Sequence, residues 1–199
     1  MSAAKACGVN YVKGQKREPK EYLTQEQYNS PYDNPNSFGK TYGEHKEALE
    51  FSVDEWKELF RYAKEININL FTSVFDITSA RSMNSIGQQL FKIGSGEVTR
   101  LDLLEEVRSF RKPVILSTGM STMKEIDEAV KILKGIDLVL MQTTSAYPCQ
   151  EENVNLRVIP YFLQKFGIPV GLSGHYVSGN GAIEAAAVAL GATWIERHF

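Results

Sequence analysis

Short runs rich in Val, Ile and Leu alternate with amphipathic stretches along most of this chain. The runs VNYVKGQ (9–15), INLFTSVFD (68–76), LFKIGSGE (90–97), PVILSTGM (113–120), LVLMQTTSAYP (138–148), PVGLSGHY (169–176) and TWIERHF (193–199) are predicted strands. After the first they recur about every 20 to 30 residues, the length of one βα unit. The stretches between them carry helix start signals. Ser52 with Glu55 forms a capping box ahead of Trp56, Leu59, Phe60 and Ala63, which are spaced for one buried face. Thr122 with Glu125 does the same ahead of Ile126, Ala129, Val130 and Leu133, and Gly135 closes that helix. The stretch from Gly181 to Leu190 is apolar nearly all round, which predicts a helix packed under other layers. Residues 19–40, with Pro19, Pro31, Pro35 and Gly39, read as a long loop. Alternation of strand and helix without hairpin signals implies parallel strands joined by right-handed crossovers, in a barrel or a doubly wound sheet.

In either architecture functional groups gather at the C-terminal ends of the strands. In order, those ends present Lys13, Gln15 and Lys16; Thr72, Ser73 and Asp76; Lys92, Ser95 and Glu97; Ser117 and Thr118; Thr143, Thr144, Ser145 and Tyr147; Ser173 and His175; and Glu196 and His198. Strand alternation puts Lys13 with Gln15, Ser173 with His175 and Glu196 with His198 on common faces. Lysines turned into such a fold need anions beside them, and Glu97 is one candidate. Two lysines, several hydroxyls and the amides freed by Gly94, Gly96 and Gly119 suit a phosphate with a carboxylate. His175 and His198 on neighbouring strand ends, with Glu196 between them, suit a divalent transition metal better than Ca²⁺. His45 lacks such company and is expected to be structural.

Composition narrows the class of partner. The chain has 199 residues, a net charge of −2, 43% hydrophobic and 23% charged residues, as in an ordinary globular domain. There is no basic footprint for nucleic acid. No apolar run approaches the ~18 residues of a membrane span, nor is there a signal-peptide core. Cys7 and Cys149 are expected to be free thiols in a cytoplasmic protein, Cys149 structural rather than nucleophilic.

The stretches YVKGQKREP, TYGEHKEALEFS, FKIGSGEVTRLDLLEEV, KPVILSTGMSTMKEIDEAV, TTSAYPCQEENVNLR, IPVGLSGHY and ALGATWIERHF closely resemble the N-acetylneuraminate (sialic acid) synthase family, which includes legionaminate and pseudaminate synthases. The resemblance runs through nearly the whole chain and implies a TIM (β/α)8-type barrel in preference to a doubly wound sheet. It also implies a transferase of sialic acid biosynthesis that condenses phosphoenolpyruvate with N-acetylmannosamine, its 6-phosphate or a related acetamido sugar. The products are a nonulosonic acid and phosphate, and the reaction needs a divalent metal, Mn²⁺ or Mg²⁺, with Co²⁺ as a substitute. Carried over by position, Lys13, Lys92, Ser95, Ser117 and Ser173 resemble phosphoenolpyruvate contacts, with Thr72 or Ser73 near another. Gln15, Glu97 and Tyr147 fall where catalytic contacts are expected, Ser145 lies beside the sugar, and His175 and His198 match the metal ligands.

Three departures carry their own expectations. Met1 falls in the helix after the family's first strand, which bears an acidic sugar contact. Phe199 directly follows the last strand, ahead of where the family's antifreeze-like domain lies over the partner subunit's site in the homodimer. The resemblance thus implies an incomplete barrel over residues 1–199, with exposed edges at Tyr11 and Trp194, poorly stable and inactive by itself. Gly14 stands where a bulky aromatic is usual; it should face the helices and weaken packing there, by analogy with Phe truncations that cost about 3 to 5 kcal/mol. The rival readings are a synthase of the Kdo-8-phosphate type, a Schiff-base aldolase using Lys92, and a degenerate remnant that binds only sugar or a partner. SAYP and ERHF argue against the first. Trapping with pyruvate and borohydride tests the second, and retention of Lys13, Lys92, His175 and His198 speaks against the third.

Overall fold

Each capping box read in the sequence starts a helix in the computed structural model, which describes residues 1–199 in two compact units, Met1–Gln89 and Leu90–Phe199. The first unit runs α1 (Ser2–Ala6), β1 (Tyr11–Lys16), α2 (Pro19–Tyr22), α3 (Gln25–Asn29), α4 (Tyr42–Ala48), α5 (Val53–Glu65), β2 (Asn69–Val74) and α6 (Ile77–Ser85). The second runs β3 (Phe91–Ile93), α7 (Leu101–Ser109), β4 (Val114–Ser117), α8 (Met123–Ile132), β5 (Leu138–Thr143), α9 (Val158–Phe166), β6 (Val170–Gly174), α10 (Ala182–Ala189) and β7 (Trp194–Arg197). Every predicted run contains one of these strands.

In the first unit β1 and β2 are parallel, with Lys13 opposite Phe71, Gly14 opposite Thr72 and Gln15 opposite Ser73. Ser52 Oγ caps α5 by accepting the Glu55 N–H, and the Glu55 carboxylate returns to the Ser52 N–H at 2.7 Å. This cap fixes the start of the helix that carries Trp56, whose side chain is buried. A Cβ at Gly14 would collide with the Trp56 ring. The expected packing defect at Gly14 is therefore absent: Trp56 from α5 fills the space an aromatic on β1 would take. Residues 19–40, read as a loop, hold the short helices α2 and α3. Thr24 and Gln27 form a capping box there, and an isolated bridge pairs Pro31 with Thr41. His45 on α4 is structural as expected: it is buried, accepts the Phe38 N–H on Nδ1 at 3.2 Å and stacks on Phe38 and Tyr32.

The second unit has five parallel strands in the order β3-β4-β5-β6-β7. Register-paired residues share a face, so the ladders Lys92–Ile115, Ser117–Met141, Thr143–Ser173 and Ser173–Glu196 define one face of this sheet. The opposite face packs on the helices through Phe91, Ile93, Leu116, Leu140 and Val170, all fully buried with Leu103, Leu104 and Val107 of α7. Burying side chains of this size stabilises by about 1.5–3 kcal/mol each, which holds β3 in place although it is only three residues long. The expectation that 181–190 packs under other layers fails. Within α10 only Ala187 is buried, and Val188 is exposed. Its side chains are small, so apolar composition there does not require a second layer.

Restoring an aromatic at Gly14 tests the exchange with Trp56. Gly14→Phe is expected to destabilise the chain by about 1–3 kcal/mol, the range for overpacking, and Trp56→Ala in the same background should recover part of that loss in urea unfolding. Stabilisation by Gly14→Phe alone would contradict the exchange.

Candidate active site

The site in the second unit begins with a charge that has nowhere wet to go. Phe91 turns to the helices, where its ring lies 5.4 Å from that of Phe110. Period-two alternation then points Lys92 to the opposite face. The Lys92 side chain is 2% exposed, and its Nζ donates to Glu196 Oε2 at 2.9 Å. Glu196 Oε1 accepts the Ser173 hydroxyl at 3.1 Å. One carboxylate on β7 thus engages a cation from β3 and a hydroxyl from β6. A buried ammonium is tolerated only with such a partner. Ser117, two residues beyond the strand position paired with Lys92, adds a buried hydroxyl on the same face.

Hydroxyls also meet beyond the strand ends. The Gly119 N–H after β4 donates to Ser95 Oγ at 3.0 Å. A Cβ at Gly119 would collide with Ser145 Oγ and stand 2.9 Å from Ser95 Oγ. Glycine therefore lets Ser95, after β3, and Ser145, after β5, converge on one backbone point. Glu97 is buried in the 3₁₀ turn Ser95–Glu97, and its Oε2 lies against Gly94, close enough that a Cβ there would stand 2.6 Å away.

Three rings form the next cluster. The Tyr147 ring stacks on His175 at 4.0 Å between centroids, and the His198 ring is 5.3 Å from His175 and 5.9 Å from Tyr147. His175 Nδ1 is 3.0 Å from the Thr144 carbonyl. A carbonyl only accepts, so Nδ1 carries the proton, and Nε2 is the lone-pair atom that accepts the Tyr147 hydroxyl at 3.0 Å. Burial holds the His175 pKa below its ordinary value, reinforced by His198 and Lys92 against the opposing pull of Thr144 and Glu196. A carbonyl behind one ring nitrogen is the usual support of a metal-bound histidine. The donor set fits Mn²⁺ or a related divalent ion, with two protein nitrogens at most. No group of three or more His, Cys, Asp or Glu converges, so oxygens from outside the chain would complete the shell.

In the first unit Lys13 and Gln15 share a face of β1 as expected, Lys13 half-buried and Gln15 exposed. Ser73, opposite Gln15, is buried on that face. Thr72 is not. It follows Gly14 to the helix side, where its N–H and hydroxyl both donate to Gln88 Oε1, at 3.0 and 2.9 Å. Of the two, Ser73 lies on the Lys13 face and Thr72 is engaged by Gln88.

A family model, the NeuB family, matches residues 1–199. The chain belongs to the NeuB family. It is 40% identical over 198 residues to the human N-acetylneuraminate-9-phosphate synthase, covering 98% of this chain and 55% of that protein. It is 34% identical over 205 residues to the N,N'-diacetyllegionaminic acid synthase of Campylobacter jejuni, covering 100% of this chain and 61% of the relative. Among solved structures, the N-acetylneuraminic acid synthetase of Leptospira borgpetersenii in complex with citrate matches with a TM-score of 0.84 and 28% identity, covering 98% of this chain and 64% of that one. The chain spans about half the length of the curated relatives it matches. The likeness fixes the fold class as the (β/α)8-barrel type expected from the sequence.

In the sequence of this NeuB family chain Glu196 stands out only as a neighbour of the histidines. Its pairing with Lys92 spans 104 positions, a separation no local pattern reveals. Gly119 was expected to free a backbone amide; that it also lets Ser95 and Ser145 converge carried no local signal. Gln88 carried no signal.

The Lys92–Glu196 pair is asymmetric, with the lysine 2% and the glutamate 19% exposed. Glu196→Ala, which takes the carboxylate from a buried ammonium, is expected to cost about 3 kcal/mol. Lys92→Met leaves a carboxylate that reaches water and should cost much less. Urea unfolding of the two variants checks this, and equal losses would contradict it.

Proposed function

We propose that this chain carries the condensing site of a nonulosonic acid synthase, joining phosphoenolpyruvate to N-acetylmannosamine or a related acetamido sugar with release of phosphate. The reading rests on one observation above the rest: a buried lysine, Lys92, paired with Glu196, whose other oxygen takes the Ser173 hydroxyl, on strands followed directly by His175 and His198. Family membership and the names of the relatives agree with it.

The chemistry follows from charge. Phosphoenolpyruvate brings a phosphate and a carboxylate. Lys92, with the hydroxyls of Ser95, Ser117 and Ser173, meets them by charge-assisted hydrogen bonds. Held in this way, C3 of the enol attacks the aldehyde carbon of the open-chain sugar, and water adds at C2. The tetrahedral carbon so formed expels phosphate. A bound Mn²⁺ or Mg²⁺ supplies Lewis acidity at the aldehyde oxygen. His175 and His198 are the residues that would hold it. Tyr147, stacked on His175, holds the Nε2 lone pair in the free protein; with an ion on that nitrogen its hydroxyl would turn to the sugar beside Ser145. Glu97 is read as a polar contact to the reacting groups, and alignment of the two substrates is the main contribution asked of it.

Phosphate release is the test. Any phosphate that the protein releases from phosphoenolpyruvate is expected to require both N-acetylmannosamine, or its 6-phosphate, and Mn²⁺. Chelation should abolish it, and added Mn²⁺ should restore it. Phosphate release that ignores the sugar would contradict the proposal.

A further inference from the structure

The β6–β7 ladder ends at the pair Gly174–Arg197. His175 and His198 each lie one residue past that last pair, so no strand hydrogen bond fixes the spacing of their rings. Arg197 supplies the missing tie. Alternation turns it to the opposite face from Glu196 and His198. There its Nη2 donates to the Tyr176 carbonyl at 2.8 Å and, at the longer distance of 3.5 Å, to the Ser178 carbonyl. Its Nη1 pairs with Glu184 of α10. The guanidinium carbon sits 4.0 Å from the centre of the Tyr176 ring. One side chain on the residue before His198 therefore grips the backbone directly after His175, and α10 anchors the grip.

From this geometry we infer that Arg197 is the positioning residue that sets the separation of the two imidazoles and so the affinity of the site for a divalent cation. Only a planar fork performs the task, because it must face Glu184, the two carbonyls and the Tyr176 ring together. A lysine keeps the charge and loses this set. The inference rests on the metal reading of His175 and His198 proposed above, and the experiment separates the two.

Mn²⁺ alone is titrated into the protein by electron paramagnetic resonance, and phosphoenolpyruvate alone by calorimetry, for wild type, Arg197→Lys and Glu184→Gln. Circular dichroism establishes that each is folded. Arg197→Lys is expected to weaken Mn²⁺ binding at least tenfold and to change phosphoenolpyruvate affinity less than twofold. Glu184→Gln, which keeps the carbonyl bonds, should weaken Mn²⁺ binding less than threefold. Should Arg197→Lys not fold, Arg197→Gln takes its place with the same expectation. Unchanged Mn²⁺ affinity in the Arg197 variant overturns the inference alone. Equal weakening of both ligands, or an equal loss in Glu184→Gln, assigns the effect to general loosening and overturns it too. A wild-type chain that takes phosphoenolpyruvate but no Mn²⁺ overturns the metal reading together with this inference.

Discussion

An ammonium group held in a protein interior must be answered by a negative charge, and much of the second unit can be understood from how that demand is met at Lys92. The strand that carries it is only three residues long and survives because Phe91 and Ile93 are fully buried against the helices. That burial commits Lys92 to the other face. Glu196 then neutralises it from β7, and the second oxygen of the same carboxylate takes the Ser173 hydroxyl. The apolar helix side and the polar strand-end side are consequences of one alternation. A paired buried charge contributes little net stability compared with an apolar replacement. Under the proposed function, an incoming anion would share Lys92 with Glu196.

The same logic explains why glycines appear where loops converge. Gly119 lacks a side chain at the point where Ser95 and Ser145 approach each other. Gly14 lacks one where Trp56 lies over β1. In the first case the space is used to gather hydroxyls, and in the second to seat a helix residue. Neither use depends on backbone conformation; both depend on the close approach of a neighbour.

Much of this was legible in the chain itself. Short Val-, Ile- and Leu-rich runs placed all seven strands, and the Ser52–Glu55 and Thr122–Glu125 boxes placed two helix starts. The strand-end rule gathered Lys92, Ser173, His175 and His198. What escaped was of two kinds. Long-range pairings such as Lys92–Glu196 and the Arg197 clasp leave no local mark, since they depend on which strands become neighbours. The phase of β2 was the second: nothing local decides between Thr72 and Ser73 until β1 is laid beside it and Gln88 claims Thr72. The helices within 19–40 were a readable signal passed over. The Thr24–Gln27 capping box has the required spacing, and the prolines around it outweighed it in the reading.

The account depends on Lys92 being the anion-binding charge of the site, with Glu196 as its partner in the free protein. Calorimetric titration of phosphoenolpyruvate into wild type, Lys92→Met and Glu196→Gln tests this most directly. The account predicts that Lys92→Met loses more than a hundredfold in affinity. Glu196→Gln should bind severalfold more tightly, because a competing negative charge is gone. Wild-type affinity in Lys92→Met would contradict it.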